Sequence, residues 1–150
     1  IYKSELNEVR SGYEFKKGCV LWGLDKFYSD LMHGTVDTPI VVCEGFKAAL
    51  WVIQAGHRYT VALIGSHMSE EQKFLLCRVA NEVVLFLDND PAGQKAARKI
   101  SKQLEGVEVL IANYGTPEPV SPDDLSKEDV QKAIETAFLP LHWRLSRDGN

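Results

Sequence analysis

Four short apolar runs rich in β-branched residues stand out along the chain: Ile40–Cys43, 60–64, 82–87 and 108–112. A run with no polar alternation has no face for water, so each reads as a buried strand. Helical patterns alternate with them. Residues 46–55 are apolar nearly all round, which predicts a deeply buried helix. Ser69 and Gln72 have capping-box spacing and open a helix that buries Leu75, Leu76 and Val79. Pro91 suits an early helical position after Asp90, with Ala96, Ala97, Ile100 and Leu104 inward. A last helix is predicted over 127–138, capped by Ser126, with Val130, Ala133, Ile134 and Ala137 inward. Strand–helix alternation with short links gives parallel strands joined by right-handed crossovers. The expected class is α/β: an open, mostly parallel four-stranded sheet with helices on both faces.

The first 39 residues do not share that rhythm. Residues 20–32 have the spacing of an amphipathic helix (Leu21, Leu24, Phe27, Tyr28, Leu31), preceded by an irregular or β segment around 13–18. The expected organisation is a lead-in over 1–39 that packs on the core, a core over 40–138 and a tail over 139–150. One hundred and fifty residues fit one domain, and 45% apolar with 25% charged residues exclude disorder, collagen and fibres. No strictly apolar run approaches the ~18 residues of a membrane span, and no signal segment opens the chain. Three cysteines without CxxC spacing argue for reduced thiols, a cytoplasmic setting and no zinc ribbon. A chain that opens on Ile1 is expected to be part of something larger.

The net charge of −4 is a poor start for a nucleic-acid binder, but it is unevenly spread. Residues 107–150 hold 4 basic and 8 acidic side chains, whereas 40–106 hold 8 and 7. Three of the acids fall where open parallel sheets bind ligands, beyond the carboxyl ends of strands. Glu44 directly follows the first strand; Asp88 and Asp90 follow the third. Extended backbone points Asp88 and Asp90 the same way, and Glu44 faces both if the strands are neighbours. Two carboxylates ~5 Å apart at an effective dielectric of ~20 repel by roughly 3 kcal/mol. Protons, lysines or cations must offset that. Hard oxygen donors suit Mg²⁺ or Mn²⁺ and two-metal phosphoryl chemistry. Simple capping of the next helix by Asp88 and Asp90 is the other reading.

The order of the motifs carries a resemblance. Cys43-Glu44-Gly45-Phe46, Leu63-Ile64-Gly65-Ser66 and Leu85-Phe86-Leu87-Asp88-Asn89-Asp90-Pro91-Ala92-Gly93 resemble the Toprim domain of primases, topoisomerases, small nucleases and recombination proteins. The details are similar to bacterial and phage replicative (DnaG-like) primases. An apolar helix follows Glu-Gly, and Gly65-Ser66-His67-Met68-Ser69-Glu70-Glu71-Gln72 follows the second strand. Phe15-Lys16-Lys17-Gly18 and Leu21-Trp22-Gly23-Leu24 lie upstream, and Pro122-Asp123-Asp124-Leu125 lies downstream. The resemblance spans most of residues 13–137.

It implies that Glu44, Asp88 and Asp90 are the catalytic metal ligands for Mg²⁺ or Mn²⁺, with Asp123 a more distant acidic contributor. It also implies RNA primer synthesis from ribonucleoside triphosphates on a single-stranded DNA template, with Glu44 as a general base in related enzymes. A replicative helicase would be a partner through regions this sequence does not contain. Two departures bear on the metal site. Ala48 stands where many primases carry an acid, and Ser121 replaces the first acid of the D-P-x-x-L loop. Fewer carboxylates loosen occupancy or change the number of metals. A Toprim nuclease or other DNA-processing enzyme, and a non-catalytic binding module, are the competing readings.

The basic residues leave alternatives open. Lys95, Arg98, Lys99 and Lys102 form one stripe, either a solvated helix face or a contact for phosphate and template backbone. Lys47, at the start of a helix, either reaches a phosphate at that helix end or pairs with the acidic cluster. Weak DNA binding by this piece alone is the expectation, with a basic neighbour holding the template.

Overall fold

The structure, a computed structural model, describes residues 16–34, 36 and 38–148, with side chains to residue 146. The expected segment around 13–18 and the Phe15 motif position therefore lie partly outside the described residues. Four strands, β1 (Ile40–Cys43), β2 (Thr60–Ala62), β3 (Glu82–Leu85) and β4 (Glu108–Ile111), pair in the order β2-β1-β3-β4. All three pairings are parallel, with Val42 opposite both Val61 and Leu85. β1 is thus central, next to β3, as the carboxylate argument requires.

Alternation along the strands builds two apolar layers. Ile40, Val42, Val83 and Leu85 pack with Leu76, Ile100 and Trp143 on one face. Val41, Cys43, Val84 and Phe86 pack with Ala49, Val52, Val130 and Ala133 on the other. Helices α2 (Phe46–Gln54) and α5 (Lys127–Glu135) cover the second face. The first is covered by α3 (Glu70–Val79), α4 (Pro91–Gln103) and α6 (Pro140–Asp148), with the lead-in beside them. Among the described residues no helix is long and apolar enough to cross a membrane.

Four expectations are corrected. The strands after β1 end two residues or one residue early, at Ala62, Leu85 and Ile111, although Leu63, Phe86 and Ala112 still donate to their neighbours' carbonyls. Residues 20–32 do not form one helix. Trp22 instead exchanges both backbone hydrogen bonds with Ala62, each 3.0 Å long, and Gly23 then turns at φ 90°. A Cβ at Gly23 would lie 2.9 Å from the Thr60 carbonyl oxygen, so the turn depends on glycine. What remains is a 3₁₀ turn and the five-residue α1 (Tyr28–Met32).

Helix α2 is not buried all round: Ala48, Ala49 and Val52 face the sheet, while Phe46 and Leu50 are exposed. A helix lying on a single sheet layer can bury only one stripe. Finally, α5 stops at Glu135 because Phe138 leaves to pair with Ile111, and the expected tail is the helix α6, whose Trp143 is buried.

The lead-in is also fastened by side chains at the start of α3. Gln72, fully buried, accepts from the Ser69 backbone N–H and donates to the carbonyls of Val20 (2.8 Å) and Leu63 (2.9 Å). The Ser69 hydroxyl donates to the Gly18 carbonyl. The capping box is therefore also the clamp between lead-in and sheet.

Candidate metal centre at the carboxyl edge

Glu44 emerges from the central strand with Gly45 behind it, and Asp88 and Asp90 emerge from the next strand over. Asp90 is the N-cap of α4, its Oδ1 accepting from the Gly93 N–H at 2.7 Å. Capping and ligand readings therefore share this residue. Gly93 is needed for contact rather than for its own dihedral angles: a Cβ there would lie 2.1 Å from the Asp88 carbonyl oxygen. The helix can sit this close to the aspartate loop only because position 93 has no side chain.

The carboxylates feel one another. Burial first, then the charges of Asp88 and Asp90, raise the Glu44 carboxyl above its ordinary range, against a lowering bond from the Asp88 backbone N–H. Asp88 is also raised, chiefly by burial, with Asp90, Asp123 and Asp124 adding to it while a hydrogen bond with Ser121 opposes. Burial first, then the charges of Asp88 and Asp123, push up the Cys43 thiol and the Tyr114 phenol. One oxygen is left over. Glu44 Oε1 is buried and has no hydrogen-bond partner, a condition shared among the described residues only with Gln103 Oε1. Such a group costs stability unless something answers it.

Sequence reasoning overlooked the floor of the site. Asn89, buried between the two aspartates, donates through its side chain to the carbonyls of Thr116 (3.0 Å) and Glu118 (2.7 Å). Its backbone N–H donates to the Val120 carbonyl at 2.8 Å. Tyr114 donates to the Leu87 carbonyl at 2.8 Å and stacks edge-on against Phe86. These bonds carry the 116–124 loop to the carboxylates and bring Ser121 to Asp88. The Asp–Asn–Asp order was the available signal, because a buried amide can pin a loop that a charged residue could not.

Asp123 reaches the site from a 3₁₀ turn, Pro122–Asp124, but its Oδ2 already pairs with Lys47 Nζ at 2.7 Å. Lys47 is thus the charge partner of the acidic loop. Lys95, Arg98, Lys99 and Lys102 all stand exposed along the outer face of α4, with Arg98 over the Trp143 ring at 5.5 Å.

Among the described residues no three His, Cys, Asp or Glu side chains close on one point as a metal cage. Glu44, Asp88 and Asp90 share one rim and one electrostatic field. The donors fit a hard cation: all are oxygens, one is orphaned, and two are held above their ordinary pKa first by burial and then by neighbouring negative charge. Mg²⁺ and Mn²⁺ sites characteristically take one or two carboxylates and fill the rest with water and phosphate oxygens.

Comparison with known proteins agrees in fold and order. The Toprim-like family model matches residues 41–126. A DNA primase of Deinococcus radiodurans is 35% identical over 136 residues, covering 87% of this chain and 23% of the relative. The zinc-binding and RNA polymerase domains of the Aquifex aeolicus primase superpose with a TM-score of 0.71 at 27% identity, over 89% of this chain and 33% of that one. A DnaG primase catalytic domain bound to single-stranded DNA superposes with a TM-score of 0.67 at 26% identity, over 87% and 44%. The chain spans less than a quarter of the length of the curated relatives it matches.

Proposed function

The chain belongs to the Toprim-like family, and from that premise we propose that it is the metal-binding catalytic core of a DNA primase. Its reaction would be nucleotidyl transfer: attack of a primer 3′-hydroxyl on a ribonucleoside triphosphate, directed by a single-stranded DNA template. The observation that carries the reading is the orphaned Glu44 Oε1 at a carboxylate rim where burial, and then the Asp88 and Asp90 charges, raise the Glu44 carboxyl. An oxygen that the fold leaves unanswered among acidic neighbours supports a cationic ligand at this rim. Similarity to a primase catalytic domain bound to single-stranded DNA supports the choice of template.

Glu44, Asp88 and Asp90 would hold Mg²⁺ or Mn²⁺, which when bound supplies positive charge to the phosphate oxygens as negative charge develops there. The chain's own residues do the positioning. Asn89 and Tyr114 fix the acidic loop, Gly93 lets α4 approach Asp88, and Asp90 holds the helix start in register. Lys95, Arg98, Lys99 and Lys102 would contact template backbone, and Lys47, at the N-terminal end of α2, pairs with Asp123. Action in the cytoplasm, and coupling to a replicative helicase through segments outside this sequence, belong to the same proposal.

The test combines synthesis and binding. Labelled ribonucleotides should enter product only with template and a divalent ion, and Asp88→Asn should abolish incorporation. Strand cleavage without synthesis would replace primase by nuclease. Absence of Mg²⁺ and Mn²⁺ binding by calorimetry would leave a non-catalytic module.

A further inference from the structure

Resting on the metal-centre reading above, we infer that Lys47 is a resident counter-cation that withholds Asp123 from divalent metal and limits the centre to a single ion on the Glu44, Asp88 and Asp90 side. Helix α2 starts at Phe46 without a side-chain cap and without an acid in its first turn. A lysine there adds positive charge to the positive end of the helix dipole, an arrangement that is unfavourable by itself. The turn Pro122–Asp124 resolves it from outside the helix by delivering Asp123. Only 14% of the Asp123 side chain is exposed, against 84% for Lys47, so the carboxylate faces inward and the ammonium covers it from solvent.

A divalent ion approaching Asp123 therefore meets the Lys47 ammonium and competes for an oxygen already bonded at 2.7 Å. The other carboxylates have no such cover. Asp88 is bonded to a neutral hydroxyl, Ser121, and Glu44 Oε1 is bonded to nothing. Charge compensation is thereby divided: the protein answers Asp123, and a ligand must answer the rest.

Mn²⁺ titration by calorimetry of the wild type, Lys47→Met, Asp123→Asn and the double variant separates the possibilities. The wild type and Asp123→Asn should each take up one ion with similar affinity. Lys47→Met should take up a second, weaker ion, and the double variant should lose that second ion again. Two ions in the wild type, unchanged stoichiometry in Lys47→Met, or loss of the wild-type ion in Asp123→Asn would each overturn the inference. Circular dichroism of each variant checks that it is folded, and loss of the ion in the Asp123→Asn arm overturns the inference without any Lys47 substitution. No ion in the wild type would sink the metal reading itself, and the inference with it; one ion that ignores Lys47 would sink the inference alone.

Discussion

Gln72 and Glu44 are both polar side chains carried towards the apolar interior at the carboxyl end of the sheet, and the fold treats them in opposite ways. Every strong hydrogen-bonding group of Gln72 is used, in bonds that join three separate segments. Glu44 keeps an oxygen without a partner and sits among charges of its own sign. A buried polar group that is fully answered stabilises and specifies a structure. One that is left unanswered is a standing cost, and it points to something that binds.

The largest effect should come from the satisfied side. Gln72→Leu leaves the Val20 and Leu63 carbonyls and the Ser69 N–H without their partner. Destabilisation of about 2–4 kcal/mol is expected in urea denaturation. A loss below about 0.5 kcal/mol would show that the clamp is ornamental and break the contrast.

The unsatisfied side should respond with the other sign. Asp88→Asn removes a repelling charge, so the metal-free protein should be as stable as the wild type, or more stable by less than about 1 kcal/mol because the site is partly open to water. Divalent affinity should fall by at least the roughly 10–100-fold typical of losing an outer-shell partner. Since the folded-state values of Glu44 and Asp88 are raised, their contribution to metal-free stability is fully present below the ordinary carboxylate values of 4.5 and 3.8. It is lost as pH rises through the raised values. Melting curves across that window should therefore separate wild type from Asp88→Asn at higher pH and converge at lower pH. Marked destabilisation of metal-free Asp88→Asn at neutral pH would instead mean that Asp88 is a structural cap.

The smallest effect concerns the exposed stripe. Charge reversal at Lys99 and Lys102 should leave stability within about 0.5 kcal/mol. The slope of log affinity for DNA against log salt should flatten by about 1–2 for the two lost contacts. An unaltered slope assigns the stripe to solvent.

Much of this was legible in the chain because the strands are short, wholly buried and separated by capped helices. Ser69, Asp90 and Ser126 each cap where their spacing predicts, and Glu44 and Asp88 fall at neighbouring strand ends. What escaped depends on tertiary partners. The 20–32 segment has helical spacing, but Trp22 finds an unpaired edge at Ala62 and takes it. Phe138 does the same at the opposite edge, ending α5 early. No local pattern marks an edge as vacant. The role of Asn89 was hidden for a related reason, since the carbonyls it holds lie 27 and 29 residues further on.

The strand order has a kinetic consequence. β1 meets β3 by pairing positions 40 and 83, and β2 has moved to the outside, so Glu44 and Asp88 become neighbours only after distant segments have closed and two crossovers are in place. Non-local parallel pairing is slow, because loop entropy is lost before contacts form. A collapsed chain with every helix formed but the wrong register would present scattered carboxylates and no centre. Ion uptake during refolding is thus a clock for the central register, and should follow the recovery of helical signal rather than accompany it.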